Sequence, residues 1–357
     1  MFKTGSLGRW WVAAWLCVFP AQASAGCLLD DASPGAQGRF TIHLSASCSQ
    51  VERNAHAVKA SAILAALTRG QIVDLDGVVI HGDLALETLP VVSVPPVIDG
   101  IIGPHDQEVR VIAGGLSLVN STVQGRIVHR SAEGTLVFSG PVTFRGTAFE
   151  QMIDLSRSVF TQPVVLSGAV FLAEGYFVQS QFLGEVTGEK TAFGPHTRFH
   201  RSRFHRSVTF EQSGFSGLAE FLEVRFDRDA NLARTYFKLG TGFSGSQFTG
   251  LADFSEALFD GDAFFTFTRF DGDAYFRRAT FRATADFDDA QFNGREDFSK
   301  AFFEKGPQFT RAKRSGNAQS LGIENPQIQY AITLSLLLFS ALLIAYLFGT
   351  VELVIHN

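Results

Sequence analysis

Methionine and tryptophan are nearly absent from this 357-residue chain, at two and three residues. Cysteine is scarce too, at three, so a single intramolecular pairing remains once Cys17, in the leader-like first segment, is set aside. The net charge of −5 is mild and by itself points neither to nucleic acid nor to an acidic partner. A nucleophile elbow, an HExxH helix, a Walker loop and a dinucleotide fingerprint are all missing, which removes the local signatures of those reaction classes. Also missing are the glycine-rich nonapeptide of calcium-binding β-rolls and the ligand spacing of an EF-hand. What the chain has in excess is phenylalanine, 36 residues.

The two ends read as addresses. Residues 1–25 have the form of a cleaved signal peptide: Lys3 and Arg9, then the apolar "WWVAAWLCVF", then the small residues "AQASA". An uncleaved anchor is the alternative, but ten apolar residues are too few to span a bilayer. Cleavage leaves Cys27 and Cys48 as an even pair in an exported chain, hence a candidate disulfide; a lipid acceptor at Cys27 competes, with Ser24 where a leucine is expected. Residues 330–351 are 22 residues without a charge, roughly 33 Å as a helix, and read as a transmembrane span. A linker, 313–329, precedes that span and a short tail, 352–357, follows it. Arg311, Lys313 and Arg314 before it favour a cytoplasmic rod, against the signal peptide. The signal peptide decides the reading, because long domains cross largely regardless of flanking charge.

Between the ends one count dominates. From Phe138 to Phe309, steps alternating between five and six residues visit 32 positions, of which 28 are Phe and three are Leu155, Leu166 and Leu232. Gly188 is the one gap. The run Phe254, Phe259, Phe265, Phe270, Phe276, Phe281, Phe287 and Phe292 is unbroken and is the expected structural core. Two residues before nearly every such position stands a small or β-branched residue, with Leu136, Ile153, Glu296 and Pro307 as exceptions. Residues i and i−2 share a face of an extended segment. Each unit therefore points one large and one small side chain inward and leaves Asp, Gly, Arg and Ser for corners. Eleven residues are too few to circle a core of Phe, so two repeats make one 22-residue turn with four short sides. Residues 138–309 then form nearly eight turns rising about 4.8 Å each.

These "A-x-F" units resemble the pentapeptide repeat family. The resemblance covers about 138–309 and implies a right-handed quadrilateral β-helix, with one residue inserted in every second side and Phe where Leu is common. It implies almost nothing about activity, since the repeats are a scaffold. Before the repeats, an N-terminal region, 26–110, contains an expected capping helix over 49–70 and a first coil over 73–91, with Leu75, Ile80, Leu86 and Val91 on the count. Residues 92–107 break phase as a loop or side hairpin, irregular coils are expected over 111–137, and the β-helix is bounded at 111–312.

The most suggestive polar cluster is "HTRFHRSRFHR". Arg198, His200, Arg201, Arg203, His205 and Arg206 form a candidate basic patch for an anionic lipid or polymer, rather than a metal site, because successive sides of a rod diverge. Runs such as Asp271–Gly272–Asp273 suit turns without calcium. A carboxylate-bearing polysaccharide enzyme is a weaker alternative, as the coils are short and regular. Some pentapeptide repeat proteins mimic DNA for type II topoisomerases, and 12 acidic against 6 basic residues over Asp253–Glu304 permit such a surface. Export would place it where no DNA is. The expectation is an all-β solenoid on the non-cytoplasmic side of a cell envelope, held by one C-terminal span. It acts as a non-catalytic interaction scaffold or as an accessory or sensor subunit of a membrane complex, with a protein partner, no cofactor and no nucleic acid.

Overall fold

A computed structural model describes residues 27–32, 38–95, 100–101, 108–129 and 134–314; the signal-like segment, the linker beyond Arg314 and the segment 330–351 lie outside these. Among the described residues no helix is long and apolar enough to cross a membrane. Over the described residues the chain winds as an all-β solenoid whose four sides are separate sheets of 12, 11, 9 and 10 strands.

The first strands set the pattern. β1 (Leu28–Ala32) runs antiparallel to β2 (Arg39–Leu44), and β2 then pairs in parallel with β4 (Ile72–Asp76). Successive turns lengthen and then settle. Arg39 pairs with Ile72, 33 residues on; Val73 pairs with Leu116, 43 on; Leu116 pairs with Val142, 26 on; Val142 pairs with Val164, 22 on. From there every rung steps by 22, as in Phe149↔Phe171 and Phe259↔Phe281. The longest turn holds a side hairpin of β7 (Val91–Val92) with β8 (Glu108–Ile112). Val91 is therefore exposed on an edge strand, whereas Leu75, Ile80 and Leu86 point into the core.

The helix expected over 49–70 is two helices, α1 (Gln50–Ala55) and α2 (Ala60–Thr68). Between them β3 (Val58–Lys59) forms the first rung of the second side, with Val58 buried opposite Ile80. A β-branched residue at an inward position is better accommodated in a ladder than in a helix. Ser49 and Glu52 close a capping box on α1, and α2 buries Ile63, Ala66 and Leu67. The solenoid thus begins at residue 39, well before 111, and runs past both helices.

The alternating count has a steric cause. After the first and third sides the corner is tight, and the residue two past each inward position is left-handed, as at Arg234 (φ 57°) and Glu256 (60°) after the first side and Phe267 (56°) after the third. After the second and fourth sides the corner takes one more residue and stacks closely on the turn before. A Cβ on Gly272 would stand 2.3 Å from the Gly250 carbonyl oxygen, and one on Gly294 2.3 Å from that of Gly272. Only glycine fits such an approach.

Inside, Phe254, Phe259, Phe265, Phe270, Phe276, Phe281, Phe287 and Phe292 are all buried. Each ring stacks on the one 22 residues away: Phe259 on Phe281 at 4.6 Å and 1°, Phe265 on Phe287 at 4.8 Å and 4°. Neighbouring columns meet edge to face, Phe265 lying 5.4 Å from both Phe254 and Phe276. Several buried hydroxyls on the companion positions are satisfied across the corner, as Thr268 Oγ1 donates to the Phe243 carbonyl at 2.9 Å and Thr235 Oγ1 to that of Phe210 at 3.0 Å, whereas those of Ser158 and Thr197 make no hydrogen bond.

Candidate interaction surface

Outward residues recur at the same place on the same side every 22 residues, one turn apart in height, so a charge in one turn faces a charge in the next. Arg234 bonds Glu211 at 2.9 Å and Glu256 at 3.1 Å, and Glu256 also accepts from Arg278 at 2.9 Å. Burial works to raise the Glu256 carboxyl, but the two guanidinium bonds outweigh it and hold the pKa below the usual range. The same logic rewrites the basic stretch. Arg198 meets Glu220 at 2.8 Å, Arg201 meets Glu223 at 2.8 Å, and Arg203 meets Asp227 at 2.7 Å. His205 lies 3.4 Å from Asp227 and 3.0 Å from the Gln181 amide oxygen, and its burial lowers its pKa. His200 is half-buried and Arg206 exposed. The expected basic patch is therefore a two-sign ladder, because the following turn supplies a carboxylate to three of its four arginines. A spacing of 22 between Arg201 and Glu223 is the signal that would have revealed it.

The Asp-bearing corners are structural links as well. Asp271 accepts from Gln247, Arg269 and Asn293, at 2.6, 2.6 and 2.8 Å, across three turns. Asp262, Asp273 and Asp288 each accept a backbone N–H from the next turn, of Thr284, Arg295 and Thr310. Among the described residues no three His, Cys, Asp or Glu side chains are grouped to hold a metal.

Cys27 and Cys48 are joined in a disulfide, their Cα atoms 5.2 Å apart, tying β1 to the start of α1. Beside it a half-open cleft of about 430 Å³ is lined by Ser49, Gln50, Arg53, Val78, Asn120 and Thr122. The Arg53 guanidinium is committed to the backbone carbonyls of Cys48, Ser45 and Gly77.

At two places among the described residues a titratable side chain stands at an inward position. In the 26-residue turn, Arg110 stands opposite core Leu136, and buried His129 takes the position that Leu155 fills one turn later. Neither His129 ring nitrogen makes a hydrogen bond of good geometry, and burial drives its pKa down to about 4, against the nearby Gly134 carbonyl. At the other end Glu296 replaces the small residue of the first side and is buried against Arg314 at 2.7 Å, with the guanidinium 4.9 Å over the Phe309 ring. Burial raises the Glu296 carboxyl.

No protein-family model matches the chain, no curated protein matches it, and no solved structure matches it.

Proposed function

We propose that the chain is a membrane-anchored scaffold of the pentapeptide repeat type, a right-handed quadrilateral β-helix that presents a rigid surface to an envelope partner without catalysing a reaction. The α2 helix would cap its N-terminal end. The observation that carries the reading is the continuous aromatic core under outward rows that repeat every 22 residues: such a rod holds surface groups at fixed spacing and offers no moving parts. The signal-like start, the disulfide and the uncharged segment 330–351 support an oxidising, non-cytoplasmic side.

Topology tests it. Arg201→Cys and Lys300→Cys, introduced singly, should react with a membrane-impermeant maleimide in cells whose inner membrane is sealed and whose outer layer is open. Labelling only after lysis would place the rod in the cytoplasm, and a duplex-mimicking role would then displace the envelope scaffold.

A further inference from the structure

Among the described residues, fourteen other than glycine have positive φ; thirteen are Arg, Lys, Gln, Glu, Asn or Asp, and one is Phe267. It is 67% exposed. A large apolar side chain at a strained, solvent-facing corner serves neither the backbone nor the core. Phe267 is also not isolated. Phe264 on the adjoining third side is 39% exposed, and across that side Leu218 and Leu239 are 44% and 48% exposed. A glycine in the next turn lets Leu218 lie flat: a Cβ on Gly240 would be 3.5 Å from its side chain.

The ion-pair ladder stops for this patch and then resumes. Below it stand Arg198–Glu220 and Arg201–Glu223, above it Asp289–Arg311, while Gly245 and Phe267 fill the two turns between on the same corner. The geometry points to a lipid-docking face: Phe264, Phe267, Leu218 and Leu239 rest on the surface of a bilayer without net negative charge. This rests on the membrane anchor proposed above. Phe267 lies two turns from Arg311, roughly 10 Å along the rod. Residues 315–329 allow at most about 50 Å between Arg314 and the uncharged segment, so the patch is within reach of the membrane that the segment would enter. Asp286, paired opposite Phe264, and the neighbouring Asp288 flank the patch and disfavour an anionic surface. The rod would thus tilt, so that the part of its third side nearest the uncharged segment meets the bilayer and the turns around Gln179 stand clear of it.

The test uses the full chain reconstituted in phosphatidylcholine vesicles, with an environment-sensitive fluorophore on a cysteine at one of three positions. These are Phe267→Cys, Gln179→Cys (the same corner four turns away) and Ser340→Cys within the uncharged segment. Spin-labelled phosphatidylcholine should remove most of the emission at 267 and at 340 and leave 179 unchanged. Adding Leu239→Ser and Phe264→Ser should restore the emission at 267, with an unchanged melting temperature showing that the rod is intact. Quenching at 340 alone overturns the docking face while leaving the anchor standing, and would assign the patch to a protein partner. No quenching at 340 removes the anchor and the docking face together. Equal quenching at 179 and 267 also overturns it, since the contact would not be selective for this patch.

Discussion

Phe265 and Phe267 are two residues apart, chemically identical, and opposite in consequence. Phe265 is 0% exposed, stacked between Phe243 at 5.1 Å and Phe287 at 4.8 Å, with two further rings edge-on at 5.4 Å. Phe→Ala in such a site costs about 3–5 kcal/mol. The upper part of that range is expected, because aromatic pairs add about 0.5–1.5 kcal/mol beyond area and the stacked rings on both sides restrict collapse. At Phe267 the side chain is mostly in water and the backbone is left-handed at φ 56°, a strain Ala shares with Phe. Phe267→Ala should therefore change stability by less than about 0.5 kcal/mol, and Phe267→Gly should stabilise by about 1 kcal/mol through relief of that strain. Guanidinium unfolding of the full chain in detergent, followed by far-UV circular dichroism, reads all three as shifts of midpoint at constant slope. If Phe267→Ala were as damaging as Phe265→Ala, the inward register would be wrong throughout the rod.

Three further outcomes follow from particular contacts. His129, facing Arg110, Asp154 and Arg157, is held neutral, with its pKa lowered from 6.5 to about 4. Between those values the unfolded chain binds the extra proton, so up to about 3 kcal/mol is lost as pH falls through the window, and none above or below it. His129→Leu should abolish that slope in unfolding measured from pH 7 to pH 4. Arg314→Ala leaves buried Glu296 without its cation and should cost about 3–5 kcal/mol, whereas Glu296→Ala restores the alanine found at 252 and 274 and should cost under about 1 kcal/mol. A double-mutant cycle compares them. Breaking Cys27–Cys48 by a double serine substitution opens a loop with a sequence separation of 21 and should cost about 3 kcal/mol, with hydrogen exchange rising first in β1, β2 and α1.

The repeat was legible because one count fixes both the interior and the turn length. In "DAFFTF" it selects Phe265 from three candidates, the other two of which face solvent. What the count does not carry is the contact between turns. Asp271 reads as a free corner residue, yet it bridges Gln247, Arg269 and Asn293. The arginines of 198–203 read as a basic patch until the carboxylates of the following turn are placed beside them. Near the N-terminus the count fails for a physical reason: turns of 33, 43 and 26 residues share no step, and Arg110 and His129 occupy positions where the rule expects apolar side chains.

The hydrogen bonds that join successive turns run along the rod, from Phe276 N–H to the Asp297 carbonyl and from Phe287 N–H to that of Gln308. A load applied through Arg314 along the rod would then open the last turn before it strained the next, because only the bonds of the terminal rung carry the load while that turn peels away. Extension should proceed in equal increments, each releasing about 75 Å of chain as 22 residues straighten. A solenoid built this way yields gradually under tension, like a ratchet let out one tooth at a time, and not as a single block.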